Sequence, residues 1–195
     1  MRVFVTGVSC VGKTTIGRTL AELLGVKFFD LDHEIETFFG MSIERLQSKC
    51  LTMHSYRKEA AKALVHLLNR PDSRNSVIAL PPSGLMGGYL RAIKKSAGTS
   101  IVLHDKPENI LERIRFYDID SKPIEKDLTA DEKRLYRREI KKDITFFRKT
   151  YKRAQLQVDI SGLDIRQAAG KVKEALEGID KEARERAKSE HSEVD

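Results

Sequence analysis

Short apolar runs separated by longer amphipathic stretches dominate the chain from its first residues. Four of the five runs are nearly continuous, as expected for strands that a parallel sheet buries on both faces. Between the runs, apolar residues recur every three or four positions, which is the spacing of helices that bury one face. The five predicted strands are Val3–Val5, Lys27–Phe29, Val77–Leu80, Ser100–Leu103 and Leu156–Ile160.

The stretches between these strands predict the helices. Helical spacing covers 13–24, 85–96, 107–115 and 129–153, and residues 31–70 have room for about three helices. Strands that alternate with helices predict an α/β fold, with a five-stranded parallel sheet and helices on both of its faces. After the fifth strand, the apolar face of a last helix is predicted to contain Ile165, Ala168, Ala169, Val172, Ala175, Leu176 and Ile179.

Two polar stretches interrupt this pattern. Residues 116–128 contain one proline between two helices, which predicts a small mobile lid. From residue 180 to 195 charged residues alternate with almost no large apolar residue, which predicts a frayed helix end or disorder. We therefore expect a single domain over residues 1–179, and 195 residues suffice for one sizeable core.

Composition and charge exclude some classes of protein. No apolar run reaches 18 residues and the chain starts directly with a strand pattern, so we expect a cytoplasmic protein that does not bind membranes. Cys10 and Cys50 lack the spacing of a zinc site or a disulfide framework. The net charge of +7 is concentrated in residues 130–153, which hold ten Lys or Arg and four Asp or Glu. This segment is a solvated helix face, a support for a polyphosphate site or, least expected, a nucleic-acid contact.

A phosphate-binding motif occupies the first turn of the predicted sheet. Residues 7–14, GVSCVGKT, match G-x-x-x-x-G-K-[ST] directly after a strand and before a helix. Such a loop points its backbone N–H groups inward and cradles a polyphosphate. Lys13 is expected to reach the β- and γ-phosphates of ATP, and Thr14 to bind Mg²⁺. The residues expected to contact the nucleotide are Gly7, Ser9, Cys10, Val11, Gly12, Lys13, Thr14 and Thr15. At the middle of the loop, the Cys10 thiol is either a small filler or an oxidisable group.

Other residues narrow the class of P-loop protein. No guanine-reading N-K-x-D is present, which argues against a GTPase. A mechanical ATPase would usually end an apolar strand with two acids, and here Asp105 stands alone. We interpret Asp105 as a metal-sphere ligand or as a turn residue before Pro107.

A pair of acids, Asp30 and Asp32, follows the second strand. A D-x-D in this place directs both carboxylates toward the carboxyl edge of the sheet, where the P-loop also lies. Either acid can also cap the next helix, and capping by Asp32 is compatible with a role in catalysis.

Together these segments resemble the shikimate kinase family, within the nucleoside-monophosphate-kinase-like P-loop folds. The resemblance rests on GVSCVGKTTIGRTLAELLG, on FFDLDHEIE, on Tyr56-Arg57 and on a lid before a basic helix, and it covers about residues 1–178. It implies a P-loop kinase fold that transfers the γ-phosphate of ATP to a hydroxyl of a small metabolite, with shikimate as first choice. By position it implies that Asp30 helps to hold Mg²⁺ through water and that Asp32 binds the acceptor hydroxyl, with Lys13 and Asp32 as catalytic residues.

The resemblance also implies a set of cationic contacts. Arg57 corresponds to an arginine that grips the substrate carboxylate, a role that suits the two-pronged guanidinium, although a surface position is the alternative. Arg148 resembles a second substrate-binding arginine before a tyrosine, here Tyr151. In the lid, Lys122 stands where the family has an Arg before Pro. Arg113 is expected to contact adenine or phosphate, or to lie on the helix surface.

The greatest departure from the family is Pro81-Pro82-Ser83, where shikimate kinases have a glycine triplet that approaches the substrate. Proline has no N–H, so Ser83 and Gly84 are the remaining candidates to donate to a substrate. Two alternatives stay open: a kinase for another small metabolite, nucleotide or antibiotic, and a nucleotide-binding regulatory protein without catalysis. Apart from its small-molecule substrate we expect no nucleic-acid or membrane partner, and a monomer or weak dimer.

Overall fold

Five of the seven strands form one parallel sheet, as the apolar runs predict. The structure, a computed structural model, describes residues 1–192, with side chains described to residue 179 and at Lys181. The strands are β1 (Arg2–Thr6), β2 (Lys27–Asp30), β3 (Ser76–Ala79), β4 (Thr99–His104), β5 (Phe116–Tyr117), β6 (Pro123–Ile124) and β7 (Leu156–Asp159).

Eight helices connect and cover these strands in the described part of the chain. They are α1 (Lys13–Leu24), α2 (Leu31–Phe39), α3 (Ile43–Ser48), α4 (Met53–Asn69), α5 (Gly87–Lys95), α6 (Pro107–Glu112), α7 (Ala130–Tyr151) and α8 (Ile165–Ser192). The three helices expected between residues 31 and 70 are confirmed as α2, α3 and α4.

The strand order of the large sheet is β2-β3-β1-β4-β7, and every neighbouring pair is parallel. Strand β1 lies at the centre, with Val3 opposite Val77 on one side and opposite Thr99 on the other. The chain leaves β1 toward α1 at the point where the strand order reverses. A crevice at the carboxyl ends of the strands forms there, and ligands of open α/β sheets bind in such crevices.

The core lies between this sheet and the helices on its faces. Val3, Phe4 and Val5 are fully buried, which explains why the first run of the sequence is continuous. Helix α1 packs against α8 and β3, α4 packs against α5 and α2, and α6 packs against α7. On α8, the predicted apolar face is buried at Ala168, Ala169, Val172 and Leu176, but Ile165 at its start is 50% exposed.

Local signals set most helix ends. Helix α1 stops at Gly25, whose left-handed backbone lets its N–H donate to the carbonyls of Ala21 and Glu22. Helix α7 starts with a capping box in which Thr129 and Glu132 satisfy each other's backbone N–H. The helical pattern over 107–115 proves too long, since α6 stops at Glu112.

The charged tail of residues 180–195 stays a prediction. The backbone of α8 continues to Ser192, the side chains of this stretch beyond Lys181 are not described, and residues 193–195 lie outside the described part of the chain. Among the described helices none has the length and apolar content that crossing a membrane would need.

The predicted lid segment, 116–128, contains a short antiparallel hairpin of β5 and β6. Phe116 pairs with Ile124 and Tyr117 with Pro123, so the tip of the hairpin is residues 118–122. Between α6 and α7, this hairpin stands apart from the large sheet.

Candidate active site

The P-loop between β1 and α1 depends on glycine at two points. Gly12 has φ 110°, a conformation that side chains rarely adopt. A Cβ at Gly7 would lie 2.7 Å from the carbonyl oxygen of Leu103, so the loop can pass β4 only without a side chain there. Cys10 adopts a left-handed backbone with φ 58°, which costs about 1 kcal/mol in a residue other than glycine.

Lys13 folds across the inside of this loop. Its Nζ donates hydrogen bonds to the carbonyl oxygens of Val8 at 2.9 Å and Gly7 at 3.2 Å. Burial lowers the pKa of Lys13, and the nearby Asp32 and Asp30 carboxylates oppose that change. The ammonium is therefore held at the centre of the loop, where a phosphate oxygen can replace a carbonyl as its partner.

Thr14 and Asp30 join the P-loop to the end of β2. The Thr14 hydroxyl donates to Asp30 Oδ2 at 2.6 Å, and Asp30 Oδ1 accepts from the backbone N–H of Asp32 at 3.1 Å. Asp30 is thus both the cap of α2 and a partner of Thr14. These hard oxygen atoms fit a Mg²⁺ site. In the described residues no group of three or more His, Cys, Asp or Glu is arranged around a metal, so its other ligands would be phosphate oxygens and water.

Asp32 is the second acid of the pair. Its side chain is reached by solvent, yet it lies in the crowded crevice at the edge of the sheet. Burial, and next the charge of Asp30, raise its pKa to about 6, while Lys13 opposes the change. A carboxyl with a pKa near neutrality is suited to accept a proton from a bound hydroxyl.

Arg57 is half-buried near the start of α4. Its guanidinium has no carboxylate within ion-pair distance among the described residues, so its charge is available to a ligand. Two tyrosines accompany it. The pKa of Tyr56 is raised to about 12 by burial and by nearby Asp32, and burial also raises the pKa of Tyr89, which Arg57 opposes. Arg57, Asp32 and the two phenols therefore share one electrostatic environment.

The wall of residues 81–84 follows β3, which lies between β1 and β2 in the sheet. Pro81 accepts a hydrogen bond from Thr6 Oγ1 at 3.0 Å and another from the Gly84 N–H at 2.8 Å. Of the two expected substrate donors, Gly84 is therefore engaged inside the wall. Ser83 is half-buried, its carbonyl oxygen accepts from the Met86 N–H, and its own donors have no partner among the described residues.

The lid tip is docked on α2 and α3. Ser121 Oγ donates to the carboxylates of Glu36 and Glu44, and Arg45 Nε donates to Asp120 Oδ1 at 2.7 Å. Ser121 has φ 59°, so the tip turns through a left-handed residue. Lys122, the expected lid cation, is the last residue of this tip and is exposed.

Arg113 approaches the P-loop from the end of α6. Its Nη1 lies 3.9 Å from the position of a Cβ at Gly12. Its Nη2 donates to Asp105 Oδ2, and Asp105 Oδ1 accepts from Asn109 Nδ2. Asp105, considered from the sequence as a metal ligand or a turn residue, therefore has its oxygens committed to the protein.

This geometry is accompanied by direct similarity to known proteins. The family model described as shikimate kinase matches residues 9–177. The chain belongs to the shikimate kinase family. Among curated relatives, the shikimate kinase of Nitrosospira multiformis is 31% identical over 113 residues, which are 58% of this chain and 56% of the relative. The chain thus matches little more than half the length of that relative.

Solved structures of shikimate kinases share the fold. The enzyme from Aquifex aeolicus superposes with a TM-score of 0.68 at 28% identity, over 92% of this chain and 98% of that one. The enzyme from Acinetobacter baumannii, in complex with shikimate, gives a TM-score of 0.70 at 23% identity, over 91% and 93%. The P-loop kinase fold expected from the sequence is confirmed.

Arg148, the second arginine expected at the site, lies near the P-loop. On α7 it lines a cavity of about 370 Å³ with Val8 of the P-loop, His104 at the end of β4 and Gln157 of β7. Arg57, by contrast, is on α4, which packs against α2 and α5. In this member of the shikimate kinase family the two arginines thus lie on different helices.

Sequence reasoning missed several residues around the site. Tyr89 was not singled out, although it is fully buried and its hydroxyl has no partner among the described residues. The contacts of Arg45 with Asp120 and of Ser121 with Glu36 join positions 75 and 85 residues apart. No local pattern signals such pairs, because each residue by itself resembles an ordinary surface polar group.

Proposed function

We propose that this protein is an ATP-dependent kinase that transfers the γ-phosphate to a hydroxyl of a small carboxylate-bearing metabolite, with shikimate as the first candidate. The observation that carries the proposal is the convergence of Lys13, Thr14, Asp30 and Asp32 at the carboxyl edge of the sheet. Family membership supports the class of reaction, and free Arg57 supports an anionic acceptor.

Each part of the site has its own role in the proposed reaction. The amide groups of the P-loop and Lys13 bind the phosphates and balance charge that moves to the leaving oxygen of ADP. Asp32 orients the acceptor hydroxyl and takes its proton as the oxygen attacks the γ-phosphorus. Mg²⁺, held through Thr14 and Asp30, would neutralise the phosphate oxygens. The hairpin with Lys122 covers the crevice and excludes water.

ATP and Mg²⁺ are thus the proposed cosubstrate and metal, and a small molecule is the proposed partner. An ATP-consuming reaction suits the cytoplasm, and Cys10 and Cys50 are both free thiols.

A second candidate is a kinase for a different small metabolite. It is favoured by the wall of Pro81 and Pro82, which lacks two N–H donors. A nucleotide-binding regulatory protein would share the P-loop but transfer no phosphate.

The test is ADP release coupled to a dehydrogenase reaction, with shikimate, other hydroxylated acids, sugars and nucleoside monophosphates as acceptors. Lys13→Ala should fold and lose at least about 10²-fold in turnover, because the phosphate charge loses its cation. Lys27→Ala is the matched control, since Lys27 is an exposed lysine paired with Asp72. The kinase proposal would be refuted if no acceptor increased ADP release by the parent protein above the rate of Lys13→Ala.

A further inference from the structure

Asp105 is a carboxylate without a role in the proposed reaction. Its side chain is only 2% exposed, although it borders the same cavity as Val8 of the P-loop. Acidic side chains are rarely so buried unless they are paired. The question is what its charge does beside a site for an anionic nucleotide.

Every oxygen of Asp105 has a partner. Oδ1 accepts from the Lys106 N–H and from Asn109 Nδ2, both at 2.7 Å. Oδ2 accepts from Arg113 Nη2. Hydrogen bonds to Arg113 and Asn109 hold the pKa of Asp105 below its ordinary value against the effect of burial, so the carboxylate is charged.

The same contacts fix Arg113. Its Nε donates to the carbonyl oxygen of Asn109 at 3.1 Å and its Nη2 donates to Asp105. The third nitrogen of the guanidinium, Nη1, lies near Gly12, the residue immediately before Lys13. The Arg113 side chain is 37% exposed, so one edge of its guanidinium is held by protein while the side chain stays accessible beside the P-loop.

We propose that Asp105 is a positioning residue for nucleotide binding, acting through Arg113. Asp105 holds Nη2 while the Asn109 carbonyl oxygen holds Nε, and the two bonds together orient the third nitrogen before the nucleotide binds, so less conformational entropy is lost on association. This inference rests on the proposed function, because that function supplies the nucleotide.

The alternative is that Asp105 only stabilises the turn into α6. Asp105→Asn distinguishes this structural role from positioning of Arg113, because the amide oxygen still accepts from Lys106 and Asn109. Its NH₂ group, however, cannot accept from the Arg113 guanidinium. Glu108→Gln is the matched control: Glu108 lies on α6, between Asp105 and Arg113 in the sequence, and pairs with Arg137 at 3.7 Å, with both side chains exposed.

The experiment is calorimetric titration of ADP with Mg²⁺ into the parent, Asp105→Asn, Arg113→Gln, the double variant and Glu108→Gln. We expect each single variant at the pair to bind ADP about tenfold more weakly, the double variant no more weakly than Arg113→Gln, and the control within twofold of the parent. At saturating ATP the acceptor KM should stay within twofold. Arg113→Lys, which keeps the charge but loses the fork, should bind ADP as weakly as Asp105→Asn and serves if that variant does not fold.

Two results would overturn the inference. One is Asp105→Asn binding ADP within twofold of the parent while Arg113→Gln binds it more weakly. The other is a double variant whose losses multiply, since independent effects would exclude action through Arg113. ADP binding needs no acceptor, so a parent that binds ADP but phosphorylates nothing would refute the proposed function and leave this inference standing.

Discussion

The Thr14 hydroxyl donates a 2.6 Å hydrogen bond to Asp30 Oδ2, which ties the first turn of α1 to the end of β2. The two residues are 16 positions apart, and each is supplied by a separate motif of the sequence. In the described residues no group of three or more His, Cys, Asp or Glu could hold a metal, so any metal held here must take most of its ligands from the nucleotide and water.

Asp30→Asn should therefore raise the Mg²⁺ concentration needed for half-maximal turnover by about tenfold or more, because a charged ligand becomes neutral. The cap of α2 should survive, since asparagine caps helices as well as aspartate does. The measurement is a Mg²⁺ titration at fixed ATP. Asp72→Asn, which removes a half-buried carboxylate paired with Lys27 and Arg70 before β3, is the control. An unchanged Mg²⁺ dependence would remove Asp30 from the metal site.

Asp32 should impose an acidic limb on the rate. With a pKa raised to about 6, it is protonated at pH 5 and cannot accept a proton, so kcat should rise with pH through about 6 and level off near 7. Asp32→Asn should lose about 10²-fold in kcat and lose this limb, while ADP affinity stays within about threefold. If Asp32→Asn still shows the rise of kcat with pH through about 6, a group other than Asp32 causes it.

The same pKa predicts a cost in stability. Between pH 4 and 6 the folded chain keeps a proton that the unfolded chain has lost, so the free energy of unfolding falls as pH rises through this window. Asp32→Asn should be more stable than the parent at pH 8, by about 1 kcal/mol because solvent reaches the side chain, and equal to it at pH 3.5. Urea denaturation at both pH values measures this. A difference that is the same at both would mean that the carboxylate charge is not its cause.

The sequence predicts those parts of the fold whose signals are local. The apolar runs at 3–5 and 77–80 become fully buried strands, and α1 begins and ends as predicted because the P-loop precedes it and Gly25 follows. The site residues of the P-loop and the D-x-D follow from the same logic, since a motif at a strand end has only one edge of the sheet to occupy.

What could not be predicted depends on contacts between distant segments. Nothing local marks Asp105 as the partner of Arg113, and the helical repeat alone suggests that Ile165 is buried although it is half exposed.

The docked lid tip predicts an effect of Ser121. Ser121→Ala removes the hydroxyl that the Glu36 and Glu44 carboxylates share, and amide hydrogen exchange of the lid at 116–124 should become several-fold faster. Arg45→Gln should have a smaller effect, since its pair with Asp120 is exposed and screened by salt. Exchange in β4 is the internal reference. Equal protection of the lid in Ser121→Ala and the parent would exclude the hydroxyl as its anchor.

The wall of Pro81 and Pro82 makes the sharpest prediction about the acceptor. If two missing backbone donors leave polar groups of shikimate unpaired, at ~1–3 kcal/mol each, the specificity constant for shikimate should be lowered by roughly 30-fold to 10⁴-fold. The double change Pro81→Gly and Pro82→Gly restores both N–H groups. The bonds from Thr6 and Gly84 should persist, because they end on the carbonyl of residue 81, which glycine also has.

We therefore expect kcat/KM for shikimate to rise by at least tenfold in the double variant at saturating ATP, with the gain partly offset by about 1 kcal/mol or more of added chain entropy. Pro71→Gly, at an exposed proline in the turn before β3, controls for that entropy. Nucleotide affinity should not change, since Lys13 and the P-loop amides are untouched. Efficient turnover of shikimate by the unmodified protein would show that Ser83 already supplies the missing donors, and that the prolines have rebuilt this wall without changing its acceptor.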